Sequence, residues 1–299
     1  MSNISSVNKF TFSKLIVNLM FIVYSGLCII PLLVVLSISF TNENSLLQDG
    51  YHLIPKQFTS FAYWYVFSGT SSIVNAYKIT IIVTLSGTLL HLFVSSMLAF
   101  GLSRKNMKLG NLISFLVFFT VLFNGGLVPY YILVTKYLHM KDTIWILILA
   151  FLVSPVNVLI MKNFFKALPE EIFESARIDG SGEFRTFLQI VLPISKPVLA
   201  TIGLFTAVAY WNDWFTSALF IENSKLYSLQ YLLQSLMTNI QYLQSNEQAS
   251  KAIVEAIGML PGESARMATC ILSIGPIVLA YPFLQRYFEH GLTLGAVKS

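Results

Sequence analysis

Read for polarity alone, the chain alternates long apolar runs with short polar ones, and the apolar runs have the length of a bilayer crossing. A helix needs about 20 residues to cross the hydrocarbon layer. On that ruler six spans are predicted, near Leu15–Phe40, Val74–Leu102, Leu109–Leu133, Thr143–Phe165, Lys196–Ile221 and Ala268–Tyr287. Asn124-Gly125-Gly126 and Pro129 interrupt the third. A break or re-entrant turn is expected there, and irregular backbone at that depth must be covered by protein or by a water-filled cavity. Two longer segments lie between spans, 41–72 and 222–267. The first carries Phe58, Phe61, Tyr63, Trp64, Tyr65 and Phe67; the second carries the amphipathic stretch Leu226 to Leu233. Each reads either as a helix lying on the membrane surface or as a docking cap over a path.

Between the fourth and fifth spans lies a polar island, Pro169 to Pro197, in which charge is concentrated. Pro169 followed by Glu170 and Glu171 opens a helix: proline is preset for a first turn, and acids favour the positive end of the helix dipole. The helix is expected to run to Ala176 or Ile178 and stop at Gly180, with Phe173, Ala176 and Arg177 on one face. Ser181-Gly182-Glu183 opens a second, in which Phe184, Phe187, Leu188 and Val191 recur at helical spacing. Pro193 and Pro197 are expected to end it and start the fifth span. Small residues at Ser175, Ala176, Gly180 and Gly182 would let another protein's backbone come close.

Composition narrows the class. The 299 residues are 55% hydrophobic and 11% charged, where soluble domains carry about 25% charged residues. This is the balance of an all-α polytopic membrane protein. The net charge of +5 does not suggest nucleic-acid binding, because the cations flank spans instead of forming one patch. With the N-terminus inside, twelve Lys and Arg lie on inner segments and seven on outer ones, which favours cytoplasmic termini and a cytoplasmic island. Cys28 and Cys270 both sit in apolar runs and suggest neither a disulfide framework nor a metal site. The first run is longer than a signal-peptide core and lacks a small-x-small cleavage site, so an uncleaved first span is expected.

Inside the fifth span, Tyr210, Trp211, Asn212 and Asp213 stand out. An acid at membrane depth is costly unless it faces protein or water, and aromatic faces with amide and carboxylate groups are what sugars bind. The alternative is that Asn212 and Asp213 hydrogen-bond neighbouring helices and fix packing. His91, Asn124, Asn157 and Lys78 are weaker candidates of the same kind.

Glu174-Ser175-Ala176, then Asp179-Gly180, then Ile190-x-Leu192-Pro193 resembles the EAA motif of bacterial ATP-binding-cassette importer permeases. Ser175 stands where that motif has alanine. Further strings resemble the carbohydrate-uptake branch: Ala99-Phe100-Gly101-Leu102-Ser103-Arg104, Trp211-Asn212-Asp213-Trp214, and the terminal Gly291 to Lys298. Phe123 to Tyr130 resembles its complex-oligosaccharide subgroup. The resemblance covers almost the whole chain. It implies a type I ABC importer permease fold of six transmembrane helices with a cytoplasmic coupling helix pair. Residues 1–14 would be a cytoplasmic N-terminus and 15–299 a single permease domain, with the coupling loop at 168–196.

It also implies roles. Glu174, Ser175, Ala176, Asp179, Gly180, Phe187, Ile190, Leu192 and Pro193 would couple to an ATPase, and Tyr210, Trp211, Asn212 and Asp213 would line a substrate path. The implied partners are a second homologous permease (a heterodimer), two ATP-binding subunits, an extracytoplasmic solute-binding protein, an oligosaccharide and membrane lipid. The chain has no Gly-x4-Gly-Lys-Ser/Thr phosphate loop, so ATP and Mg would be bound by the partner ATPase. No cofactor and no catalytic residue are expected in this chain. Two other functions are weighed: an ion-coupled secondary transporter, which predicts an inverted repeat and more buried acids, and a membrane-embedded enzyme, which wants His and acids clustered at one depth.

Overall fold

The computed structural model describes residues 12–68, 70–245, 262–276 and 278. Among them the chain is helical, without a strand; one isolated antiparallel bridge joins Thr41 to Phe58. Residues 1–11, the segment 246–261, the far end of the sixth predicted span and the terminal Gly291–Lys298 string lie outside the described residues. Two compact units emerge, one from residues 1–69 with 236–272, the other from 70–235 with 273–299.

In the first unit α1, Phe12–Ser39, matches the first predicted span and is apolar on every side. Its apolar side chains from Leu15 to Leu33 are largely exposed, as lipid-facing residues must be. At its far end Ser37, Ile38 and Ser39 are buried. There the 41–72 segment folds back as α2, Glu43–Asp49, and α3, Phe61–Phe67. Phe40 stacks on Phe58 at 5.2 Å and tilts against Tyr63 at 4.7 Å. Glu43 is buried, and its carboxylate accepts from Glu263 N, Ser264 N and Ser264 Oγ at 2.9, 3.1 and 2.7 Å. It thereby caps the helical residues 263–276, where the dipole favours an anion.

The second unit is organised on α4, Thr70–Ser103, an unbroken 34-residue helix. After it come α5, Gly110–Leu122, and α6, Leu127–Ile132, which continues in wider turns over Leu133–Tyr137. The break expected at Asn124-Gly125-Gly126 is present as a 114° bend. Gly126 sits at φ +87°, and its N–H donates to Asn124 Oδ1 at 2.8 Å. Then follow α7, Ile144–Leu149, and α8, Pro155–Lys166.

The fourth predicted span, drawn as continuous, is therefore two helices. Pro155 is tolerated only in a first turn, and Ser154 before it is extended at φ −103°, ψ 118°. The island forms α9, Glu170–Ile178, and α10, Glu183–Thr186, which runs on through wide turns at Phe187–Val191 into α11, Leu192–Ile194. An 83° bend at Ser195 leads to α12, Lys196–Trp211. The second island helix thus passes Pro193 instead of ending there. The wide turn precedes Pro193, whose ring would clash with the Gln189 carbonyl in a regular α-helix.

The fifth predicted span, also drawn as continuous, breaks at Asn212–Trp214 before α13, Phe215–Phe220. A short 3₁₀ turn, Ser224–Leu226, precedes α14, Leu229–Ser245. Of the predicted spans, Lys14–Ser39 and Ile73–Ser103 are single straight crossings by length and hydropathy. The third, fourth and fifth are broken.

Candidate functional site

Two places in the second unit gather the sequence's polar residues. One is the island. α9 ends in a Schellman turn: Ser181 N–H reaches the Ala176 carbonyl at 2.9 Å and Gly180 N–H the Arg177 carbonyl at 3.0 Å, with Gly180 at φ +73°. That left-handed φ is why a glycine stands there. Phe173 and Ala176 are buried, whereas Arg177, expected on the same face, is exposed and pairs with Glu170 at 3.2 Å. In the second helix Phe187 and Val191 are buried, while Phe184 and Leu188 of the same expected stripe are exposed.

Phe173, Phe187 and Val191 belong to one core with Phe100, Val158, Met161, Phe165 and Ile202. Phe100 lies 5.4 Å from the Phe187 ring and 6.3 Å from that of Phe173. Each phenyl buried there contributes about 2 kcal/mol, enough to hold the island as a structured part of the fold. Of the motif residues, Phe187 is therefore an anchor, Ala176 is buried, and Ile190 and Leu192 are half-buried. Glu174, Ser175, Asp179, Gly180 and Pro193 face outward with Ile178, which is 86% exposed.

Arg104, at the end of α4, fastens both island helices. Its guanidinium is 3.7 Å from Glu170 on α9 and 3.6 Å from Glu183 on α10, and it lies over the Phe173 ring at 3.9 Å. The Arg104 side chain is 13% exposed and its carboxylate partners 42% and 62%, so each ion pair adds at most about 1 kcal/mol.

The second place is where the three broken spans meet. A cleft of about 750 Å³ is lined by Asn124, Gly125 and Gly126, by Tyr130, by Ala150 and Phe151, and by Asp213, Phe215 and Thr216. Each break contributes one wall. The expected quartet divides here. Tyr210 and Trp211 are buried and turned into the protein: the Tyr210 hydroxyl donates to the Ile148 carbonyl and Trp211 Nε1 to the Ser273 carbonyl at 3.1 Å. Asn212 is exposed and returns its amide to the Val208 carbonyl at 2.9 Å. Asp213 reaches the cleft, and its Oδ1 accepts from Thr216 N–H at 3.1 Å.

Beside this cleft a second cavity of about 420 Å³ shares Ala150 and Phe151 and holds His91, Asn157 and Thr206. His91 Nδ1 lies 2.7 Å from the Phe151 carbonyl, so it carries the proton, and Nε2 accepts from the Asn157 amide at 3.1 Å. Asn157 also donates to Thr206 Oγ1 at 3.4 Å. This network bonds α4 to the α7–α8 break and links α8 to α12. The arrangement sets a few hydrogen-bonding groups in a mainly apolar lining, with Asp213 the one charged carboxylate and no nucleophile–base pair among the described residues lining it.

Sequence reasoning passed over Thr206 and treated Arg104 as one letter of a string. A signal for the first existed. Thr80, Thr84, Thr88, His91 and Ser95 recur every three or four residues of α4, and Thr206 lies one turn before Tyr210. Polar positions at helical spacing within an apolar span mark the side turned to protein.

Over residues 4–294 the sequence matches the family described as binding-protein-dependent transport system inner membrane component. The chain is 39% identical over 282 residues to Protein LplC of Bacillus subtilis (strain 168), covering 94% of this chain and 93% of that one. It is 36% identical over 277 residues to the polygalacturonan/rhamnogalacturonan transport system permease protein YtcP of the same organism, covering 93% and 95%. A crystal structure of a bacterial ABC transporter involved in the import of the acidic polysaccharide alginate is similar as well. Its TM-score is 0.79 at 25% identity, covering 93% of this chain and 99% of that one.

Proposed function

The chain belongs to the family of inner-membrane components of binding-protein-dependent transport systems, and on that premise we propose that it forms half of the translocation path of an ATP-driven oligosaccharide importer. It is a non-catalytic permease subunit, and such a component works with an ATPase and a substrate-binding protein. The finer assembly proposed is a heterodimer with a second permease, two ATPase subunits on the inner face and a solute-binding protein outside. ATP and Mg are bound by the ATPase. The Lys and Arg distribution supports cytoplasmic termini and a cytoplasmic island.

One observation carries the reading. The island is packed rigidly onto the ends of the spans by Phe173 and Phe187, yet presents Glu174, Ile178, Asp179 and Gly180 outward. An anchored turn that presents these residues outward together is the surface we assign to ATPase docking. Leu192 packs against the same core, with Ala176 buried and Ile190 half-buried beside it in the sequence motif. The relatives' names supply the cargo class, saccharide polymers. The cleft at the three breaks supplies the path: Asn124, Tyr130, Asp213 and Thr216 offer hydrogen-bonding groups to hydroxyls, and broken spans commonly surround a transported solute. Tyr210 supports that wall from behind, its ring edge-on to Phe151.

The test is uptake of labelled oligosaccharide into liposomes holding the chain with its partner permease and ATPases, with the binding protein added outside. Uptake is expected to require ATP within and binding protein without. Uptake that proceeds without ATP and follows an imposed proton or sodium gradient would instead establish the ion-coupled alternative.

A further inference from the structure

Building on the permease reading, we propose that Arg104 is the positioning residue that ties the island to α4, and that α4 carries the island's displacement to the cleft. Three observations converge on it. Arg104 closes the end of the longest unbroken helix in the second unit and holds one carboxylate from each island helix, Glu170 and Glu183. Its planar cation lies on Phe173, a buried anchor of the island, so it registers the position of α9 as well as its charge.

Farther along the same rod, α4 touches elements at two of the three breaks that shape the cleft. His91 bonds the Phe151 carbonyl at the α7–α8 break, and Gly87 lies against the Tyr210 ring just before the α12–α13 break. Beyond the cleft, Thr80 Oγ1 accepts from Leu229 N–H at 2.8 Å at the start of α14. The spans that line the cleft are broken and can bend where they break. α4 has no such break, so a push at its Arg104 end arrives at His91 and Gly87 as a shift of the whole rod. A rigid element contacting both sites is one physical means of coupling them.

The role is separable from docking, because Arg104 does not belong to the outward face formed by Glu174, Ile178, Asp179 and Gly180. The experiment uses the full importer in liposomes with Arg104→Met, which keeps an aliphatic stem, Arg104→Lys, which keeps the charge, and the exposed pair Glu170→Gln with Glu183→Gln. Co-purification of the ATPase, basal hydrolysis, and saccharide molecules taken up per ATP hydrolysed are read together. Arg104→Met and the double glutamine variant are expected to retain ATPase and basal hydrolysis while uptake per ATP falls by about 2- to 30-fold, the range by which residues along a coupling route act. Arg104→Lys is expected to recover part of it.

Unchanged uptake per ATP in both Arg104→Met and the double variant overturns the proposal. So does loss of ATPase in proportion to loss of uptake, which would make Arg104 a docking residue. If the parent importer itself shows no ATP-dependent uptake, the permease reading fails instead, and the two failures are told apart by that control.

Discussion

The ring of Tyr210 fills the space that a side chain at position 87 would need. A Cβ built on Gly87 would lie 2.8 Å from Cε1 and Cε2 of Tyr210 and closer still to Cζ. Tyr210 cannot retreat, since its hydroxyl is bound to the Ile148 carbonyl and its ring meets Phe151 edge-on at 5.2 Å. Gly87 is thus one point at which α4 and α12 are allowed to come close.

Gly87→Ala is accordingly expected to destabilise the second unit by about 1–3 kcal/mol, the cost of overpacking a filled core. Shrinking the ring in the double variant Gly87→Ala with Tyr210→Leu should restore part of that loss. Denaturation of the four members of the cycle measures it, because residues in contact depart from additivity. Additive effects of the two changes would show that the contact is not what keeps position 87 a glycine.

In the first unit, Glu43 is the carboxylate on which the start of the helical stretch 263–276 hangs. Replacing it with Ala leaves the N–H groups of Glu263 and Ser264 without their acceptor. Hydrogen bonds to a charged group contribute about 1.5–3 kcal/mol. Faster amide hydrogen exchange at residues 262–268 is expected in Glu43→Ala, and a smaller acceleration in Glu43→Gln, which still offers one carbonyl oxygen. Exchange as slow as in the parent would mean that the cap is dispensable.

How much of this could be read from the chain depends on how local the cause is. The α9 turn was legible because Pro169, the paired acids and Gly180 act on their own few residues. The bend at Asn124-Gly125-Gly126 was legible for the same reason. The breaks after Leu149 and Trp211 were not, because summed hydropathy runs straight through Pro155 and Asn212-Asp213 and is blind to where a helix can continue. Arg104 looked like any cation flanking a span, since its partners Glu170 and Glu183 come from elements far along the chain. Tyr210 and Trp211 stand out in the sequence beside Asp213, yet neighbours in sequence do not share a direction in a helix: Asp213 reaches the cleft while Tyr210 is spent on Ile148.

The junction at Lys141 and Asp142 supplies a pH-dependent prediction. Asp142, at φ +59°, accepts from Glu222 N–H and Asn223 N–H at 3.0 and 2.8 Å. Beside it, the hydrogen bond and charge of Glu222 raise the Lys141 ammonium above its ordinary 10.5. A raised lysine stabilises the folded state fully below its unfolded pKa and ceases to do so as pH climbs through the folded value. Lys141→Met should therefore melt slightly lower than the parent at neutral pH, with the two curves converging above pH 10.5. The pair is solvent-exposed, so the gap is small and should shrink further in high salt. Asp142→Ala is expected to lower the melting point more than Asp142→Asn, because alanine loses the one oxygen that accepts both N–H groups, at a φ that asparagine tolerates.

Gly180 separates two reasons for keeping a glycine. Within this chain a Cβ at position 180 would meet nothing within 4 Å, so space is not what the fold demands; its φ of +73° is. A left-handed conformation costs an ordinary L-residue about 1–2 kcal/mol, too little to unfold an island anchored by Phe173 and Phe187. Asparagine visits that conformation readily, so Gly180→Asn should keep the turn and Gly180→Leu should strain it. If φ alone matters, ATPase co-purification and saccharide uptake return to parental levels in Gly180→Asn and fall only in Gly180→Leu. If a partner's backbone comes up against the turn, both variants lose ATPase while inserting normally, and the loss grows with side-chain size. The second pattern is expected, since Glu174, Ser175, Asp179 and Gly180 all face outward together. Parental ATPase retention and uptake in Gly180→Leu would remove the island from the coupling role altogether.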